Sequence, residues 1–457
     1  MTTDKHHKNV DELANSSIRK LMWKYFLPAF TGVILNALYN VVDRIFIGQG
    51  VGAIALSGLT AVFPVMLIMM AFGMLIGMGA GIRISISLGK SDFLRAEKVL
   101  GNAFFMMLII SVFITILGFL IKDPMMRLFG ASNETIGYAN DYLNIILFGS
   151  VFSVVGFSMN NLIRSEGNAR VAMFSMLISA GTNLVLDPIF IFGFGWGVKG
   201  AAWATVISQI ILCWWVLRHF RSQKSVIKLH LPNMKIDRNI VLSIITVGFA
   251  PFSMHLAASV VSAIFNTQLV KHGGDIAIGA MGVVHSVTML LVMSIIAINM
   301  ASQPIIGFNH GAKNFVRVKQ TLLEGMRAAT FIAVAGFLIA ELFPRTIIRL
   351  FNSDSPELLQ IGTTGLRIFL AALPVVGFQA IVGNYFQSVG KAGVSTFLTL
   401  LRQVLILIPS LLILPGIFGL HGVWLASPVS DFISSLVTSF FLFQELKRLN
   451  GKINPSE

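Results

Sequence analysis

Apolar residues in this chain do not alternate with polar ones, nor do they mark a single helical stripe; they run unbroken. Val99–Ile121, Tyr142–Ile163, Gly200–Leu217 and Ile368–Gly390 carry no charged residue, and each approaches or exceeds the roughly 20 residues that cross a bilayer as a helix. Ile45–Ile82 and Ile276–Ala312 are longer still, room for a helix, a turn and part of the next. Reading polar breaks as loops predicts twelve spans: 22–47, 56–84, 99–121, 138–163, 171–192 and 199–220, then 241–270, 278–308, 324–344, 362–388, 394–415 and 421–445. The expected fold is an all-α polytopic membrane protein.

Composition agrees. The 457 residues are 55% hydrophobic and only 12% charged, about half the charged share of a soluble domain, and mean hydropathy is +0.80. The net charge of +14 would suit a nucleic-acid binder if it formed one surface. It does not. Placed on alternating sides of the twelve spans, most of the 34 Lys and Arg fall on one side, in the tails and the loops around 83–98, 164–170, 218–238, 313–327 and 391–402. That asymmetry marks the cytoplasmic side, so both termini are expected there. The partner is then the lipid bilayer and not nucleic acid. The start, MTTDKHHKNVDELANSS, is too polar for a cleaved signal, and the single Cys213 excludes an intrachain disulfide.

The longest polar interior stretch, RHFRSQKSVIKLHLPNMKIDR (Arg218–Arg238), lies near the midpoint, and the chain repeats itself across it. At an offset of about 222, GKSDFLRAEKVL from Gly89 lies over GAKNFVRVKQTL from Gly311, RLF at Arg127 over RLF at Arg349, and VVGF at Val154 over VVGF at Val375. SEGNA at Ser165 meets SVGKA at Ser388, and GVKGAAWA at Gly197 meets GLHGVWLA at Gly419. Two six-helix copies, each with an even number of spans, share one orientation, the parallel-repeat plan of many transporters. The expected organisation is an N-terminal tail 1–20, an N-lobe 21–220, a linker 221–240, a C-lobe 241–446 and a tail 447–457.

The copies differ where chemistry is expected. YNVVDRIFIG places Asp43 in the first span and NLVLDPIFIFG places Asp187 in the fifth. Their repeat counterparts are Phe265 and Ile408, while Pro188 keeps a counterpart in Pro409. A carboxylate at membrane depth is costly unless it faces the protein interior and finds partners or a proton. Asn183 stands one turn before Asp187 and Tyr39 one turn before Asp43, on the same helical faces. Asn36 and Asn40 cluster with the latter, and Thr205, Ser208 and Gln209 offer oxygens on the sixth span. Pro188 frees a backbone carbonyl. Such a set would ligate Na⁺, with Asp43, Asp187, Asn183 and Thr205 as the metal ligands, or hold a proton, because desolvation disfavours a charged carboxylate. Asp431 in the last span admits a structural and a coupling role alike; His255 and His285 read as hydrogen-bonded structural groups. No HExxH or GxSxG lies in a span, so an enzyme is not expected, and neither is a cofactor.

LYNVVDRIFIG, RSEGN after the fourth span and NLVLDPIFIFG resemble the multidrug and toxic compound extrusion (MATE) family, and most closely its DinF/MepA-type bacterial branch, from about Leu21 to Leu446. The resemblance implies twelve helices as two six-helix lobes in a V around a central cavity. It also implies antiport of H⁺ or Na⁺ against exported small molecules, often cationic and aromatic drugs, by a monomer. It assigns the ion-coupling role to Asp43, Asp187, Tyr39, Asn183 and Thr205, with Asn160 in the fourth span. The seventh and tenth spans lack the carboxylates of the NorM-type branch, which argues against a C-lobe cation site of that kind. The alternative is a lipid-linked precursor flippase of the same superfamily, for which Arg83 and Arg402 are the candidate cationic residues. The 21 Met and 37 Phe suit an adaptable cavity, though core and lipid-facing positions account for most of them.

Overall fold

The structure is a computed structural model that describes residues 11–129, 131–351 and 356–453. Within the helices some side chains, including those of Asn36, Tyr39, Asn40 and Arg44, lie outside the described residues. Every major element is a helix. The first half comprises α1 (Ile18–Gly50), α2 (Ala53–Gly89), α3 (Phe93–Leu128), α4 (Ile136–Phe148), α5 (Ser150–Ser165), α6 (Ala169–Pro188, running on as a π-turn to Gly193) and α7 (Gly197–Arg221). The second begins with α8 (Arg238–Gly274) and α9 (Gly279–Gly311). It continues through α10 (Phe315–Leu342), the short α11 (Pro344–Phe351), α12 (Pro356–Leu370), α13 (Leu373–Ser388), α14 (Ala392–Leu400), a π-segment Leu401–Leu407, α15 (Ile408–Phe418) and α16 (Leu420–Ile453).

Among the described residues nine helices are long and apolar enough to cross a membrane, or eleven when two bent pairs each count as one span. At 33 residues α1 is also long enough, which accounts for the twelve expected. The apolar surface turns outward as a membrane requires: Leu120 and Phe331 are 75% exposed and Phe443 72%.

The bent spans have local causes. Between α4 and α5 the chain turns by 58° at Gly149, where a Cβ would lie 2.5 Å from Val206. The carbonyl of Leu147 at the break accepts from Thr115 Oγ1 on α3 at 3.1 Å, so the interrupted ladder leaves no orphan there. Between α12 and α13 the turn is 44°, with Pro374 in the first turn of α13, where its missing N–H costs nothing.

The repeat is visible in backbone detail. Ser91 and Lys313, 222 residues apart, both have φ of 58°, unusual for residues with a Cβ. Each precedes a helix cap: Asp92 accepts from the backbone N–H of Arg95 at 3.0 Å, and Asn314 from that of Arg317 at 3.3 Å. Gly197 and Gly419 share φ near 55° (54° and 58°).

Two compact units group as Met1–Ser16 with Leu27–Phe252, and Ser17–Phe26 with Ser253–Glu457. Two helices therefore contribute to both units: α1 changes unit beside Pro28, and α8 beside Pro251. In the first unit α8 crosses α2 at backbone contact. A Cβ on Gly248 would lie 1.8 Å from the Leu75 carbonyl oxygen, and one on Gly79 2.2 Å from that of Ile244. The second unit has its own apolar core, with Phe265, Leu269, Val284, Leu366, Leu411 and Trp424 at its centre.

The polar stretch after α7 is fastened to the first unit by side-chain acceptors. The Glu166 carboxylate, fully buried, accepts from Ser225 Oγ at 2.7 Å, the Val226 N–H at 3.0 Å and Asn168 Nδ2 at 2.7 Å, and pairs with His219. Glu97 accepts from the Lys228 N–H at 2.9 Å, and Asn102 Oδ1 from that of Asp237 at 2.8 Å. Removing the carboxylate strands several buried donors at once, and breaking a buried pair costs about 3–5 kcal/mol. Glu166→Ala is therefore expected to lower the melting temperature and to speed tryptic cleavage after Arg221 and Lys224, read by gel.

Candidate functional site

The NLVLDPIFIFG segment folds as α6 because its apolar residues support a helix up to Pro188, which has no N–H to offer the preceding turn. The backbone answers with a π-turn over Ile189–Gly193, closed by the Phe194 N–H donating to the Ile189 carbonyl at 2.9 Å. π-turns often mark functional positions. This one ends the helix one residue after Asp187 and turns its side chain inward: Asp187 is 1% exposed and Asn183 2%.

Asn183 Nδ2 donates to Asp187 Oδ1 at 3.2 Å and lies 3.5 Å from Thr205 Oγ1 on α7, the long limit of a hydrogen bond. Two buried acceptors remain without a donor, Asp187 Oδ2 and Asn183 Oδ1, and Gln209 Oε1 one turn beyond Thr205 is a third. From α1 the Asp43 carboxylate, 8% exposed, lies within Coulombic range of Asp187. The register between α1 and the π-turn follows from packing, with the rings of Phe46 and Phe192 meeting edge to face at 6.1 Å. Gly50 fits against Ile191, where a Cβ would come within 2.6 Å.

The result is two buried carboxylates, an amide and a hydroxyl, with surplus acceptors on Asp187 and Asn183. Such a set attracts a small cation or a proton. Among the described residues no three His, Cys, Asp or Glu side chains converge, so the donor set is the mixed-oxygen kind that suits a hard ion.

Not all expected site residues meet here. Asn160 is committed elsewhere: its Nδ2 donates to the Ala172 carbonyl at 2.8 Å and Ser175 Oγ at 2.6 Å, and its Oδ1 accepts from Arg164 at 2.5 Å. Ser175 is twelve residues before Asp187 on the same helix, about 18 Å along its axis. Tyr39 belongs to the side chains outside the described residues. Ser208 turns back on its own helix, donating to the Ala204 carbonyl at 2.7 Å.

The second half offers no acidic counterpart. Phe265 packs against Phe369 at 6.0 Å within the apolar core. Its buried acids among the described residues are both paired: Glu445 with Lys391, and Asp431 with Arg402 at 2.5 Å, a pairing the sequence did not suggest. His255 is half-buried, with Nε2 lacking a hydrogen-bond partner.

A duplicated helical membrane protein, with buried carboxylates and surplus buried acceptors in its first repeat, has the build of a membrane transporter. The MatE family model matches residues 28–189 and, a second time, 251–412, once per repeat. The chain belongs to the MatE family. It is 26% identical over 434 residues to the multidrug export protein MepA of Staphylococcus haemolyticus (strain JCSC1435), with 95% of each chain covered. It is 25% identical, at the same coverage, to MepA of Staphylococcus aureus (strain N315). Among solved structures it resembles a multidrug resistance MATE family transporter of the MOP superfamily in an outward-facing conformation, with TM-score 0.89, 26% identity and 96% and 98% of the two chains covered. It also resembles MATE in a bent conformation, with TM-score 0.91, 26% identity and 97% and 98% covered.

Proposed function

We propose that this protein is a cation-coupled antiporter that exports aromatic, cationic drugs from the bacterial cytoplasm by alternating access. It acts as a monomer in the plasma membrane with both termini inside. The observation that carries this reading is the group of donorless buried acceptors, Asp187 Oδ2 and Asn183 Oδ1, within Coulombic range of Asp43. Similarity to multidrug export proteins over nearly the whole chain supports the substrate class.

The coupling ion, H⁺ or Na⁺, enters from outside and neutralises the Asp43/Asp187 group, with Asn183 and Thr205 orienting it. Neutralisation removes the repulsion between the two carboxylates, so α1 settles more closely on the π-turn after Asp187. Substrate affinity falls as the ion binds, and by reciprocal linkage the ion's affinity falls when substrate binds. Bending is supported where α1 and α8 change unit, because Pro28 and Pro251 each remove one backbone hydrogen bond from their helix.

The test is ethidium efflux from proteoliposomes under an imposed pH gradient or Na⁺ gradient, applied separately. One gradient is expected to drive efflux and the other to leave it at the passive rate. If neither drives efflux by folded protein, the antiport reading fails.

A further inference from the structure

The first turns of α1 divide into two faces. Ile18, Leu21, Met22 and Tyr25 are buried at helical spacing, while Arg19, Lys20 and Trp23 stand exposed on the other side. The buried face packs on α10, where a Cβ on Gly325 would lie 3.9 Å from the Met22 methyl. Beside that contact Glu324 Oε1 accepts from Arg19 Nε and from Arg327 Nη1, both at 3.2 Å. One carboxylate thus serves two guanidiniums. With Lys20 on the next position, which forms no ion pair among the described residues, the junction keeps a surplus of positive charge.

Both helices place an aromatic ring one turn deeper than these cations. Trp23 follows Lys20 and Arg19 by three and four residues and is 62% exposed, its ring set by an edge-to-face contact with Phe26 at 5.6 Å. Phe331 follows Arg327 by four residues on the same face of α10 and is 75% exposed. The spans expected from the sequence begin at these levels, at 22 on α1 and 324 on α10. Cation, then ring, then apolar helix repeats the order of a phospholipid along the bilayer normal, and tryptophan favours the interfacial level. Surplus positive charge at headgroup depth selects an anionic lipid, because a zwitterionic headgroup has no net charge to answer it.

We propose that the junction of α1 and α10 at Arg19, Lys20, Trp23 and Arg327 binds an anionic phospholipid of the cytoplasmic leaflet. Its phosphate meets the cations and its chains run past Trp23 and Phe331. Just beyond this junction α1 passes into the other unit, beside Pro28, so the lipid grips the base of the helix that carries Asp43. The site goes beyond the export reading, and only its leaflet rests on the placement of the termini given there.

The test uses full-length protein in phosphatidylcholine nanodiscs doped with a lipid brominated on its chains, which quenches nearby tryptophan. The doped lipid is phosphatidylglycerol in one preparation and phosphatidylcholine in the other. Neither gradient nor drug is used and both leaflets are alike, so failure here is distinct from failure of the export reading. The chain has six Trp, and the Trp23 signal is the wild-type quenching less that of Trp23→Phe. Brominated phosphatidylglycerol is expected to quench Trp23 about twofold more strongly than brominated phosphatidylcholine, a preference lost at high salt. Lys20→Gln with Arg327→Gln, both at exposed positions, is expected to fold and to lose the preference too. Equal quenching by the two lipids in the wild type overturns the proposal, as does a preference that the double variant leaves unchanged. Absence of Trp23 quenching by either lipid, as when a second copy of the chain covers this face, also overturns it.

Discussion

Asp187→Asn is expected to reduce gradient-driven ethidium efflux to the passive rate, a loss of at least tenfold, while leaving the protein as stable as wild type or more so. Asparagine matches the carboxylic acid in size and removes its charge, so the variant imitates the neutralised state without being able to release the ion. The stability expectation follows from the same geometry. Asp187 is buried with one oxygen lacking any donor and a second carboxylate in range, an arrangement that costs stability. Asp43→Asn is expected to behave alike. Asn183→Ala, which removes one neutral ligand, is expected to weaken the ion's apparent affinity with smaller effect on the maximal rate. Asn160→Ala breaks a network some turns away and is expected to affect stability and not ion dependence. Efflux assays beside thermal melts separate these outcomes; an Asp187→Asn protein that still answers the gradient would dismiss this site as the coupling centre.

The second large effect is steric. Gly248→Val is expected to prevent accumulation of folded protein, and Gly248→Ala to cost about 3 kcal/mol or more, above the usual range for overpacking. The obstacle is the backbone: a Cβ at Gly248 meets a carbonyl oxygen at 1.8 Å, and a main-chain atom in a packed helix cannot swing aside as a side chain does. Small residues allow such approach between membrane helices. Gly181→Ala is the control, since nothing lies within 4 Å of its added Cβ, and a helical Gly→Ala change gains about 1 kcal/mol. Melting by fluorescence-detected size exclusion in detergent reports both.

The spans were legible because lipid imposes one requirement on every segment, an uncharged run of sufficient length, and that survives any detail of packing. The repeat was legible because turn residues such as the GKSD and GAKN segments hold demanding backbone angles. The Asn183–Asp187 contact was readable from spacing alone, since four residues make one helical turn. Contacts between helices were not readable. Asn160 lies on a helix whose face toward α6 depends on packing, and it meets the early turns of α6, not the late ones. Arg402 and Asp431 are 29 residues apart on different helices, so neither announces the other. Glu166 was within reach: SEGNA becomes SVGKA in the second copy, the same loss of an acid between repeats that singled out Asp43 and Asp187.

The way α1 and α8 divide between the units bears on the independence of the halves. Residues Ser17–Phe26 open the first repeat and pack in the second unit, while the equivalent opening of the second repeat, up to Phe252, packs in the first. Each copy lends its leading segment to the other. Exchange of identical elements is how domain-swapped dimers assemble, and a duplicated chain can hold the same kind of exchange within one polypeptide. Six-helix halves expressed separately would then each lack a piece of their own fold and would need one another to complete it.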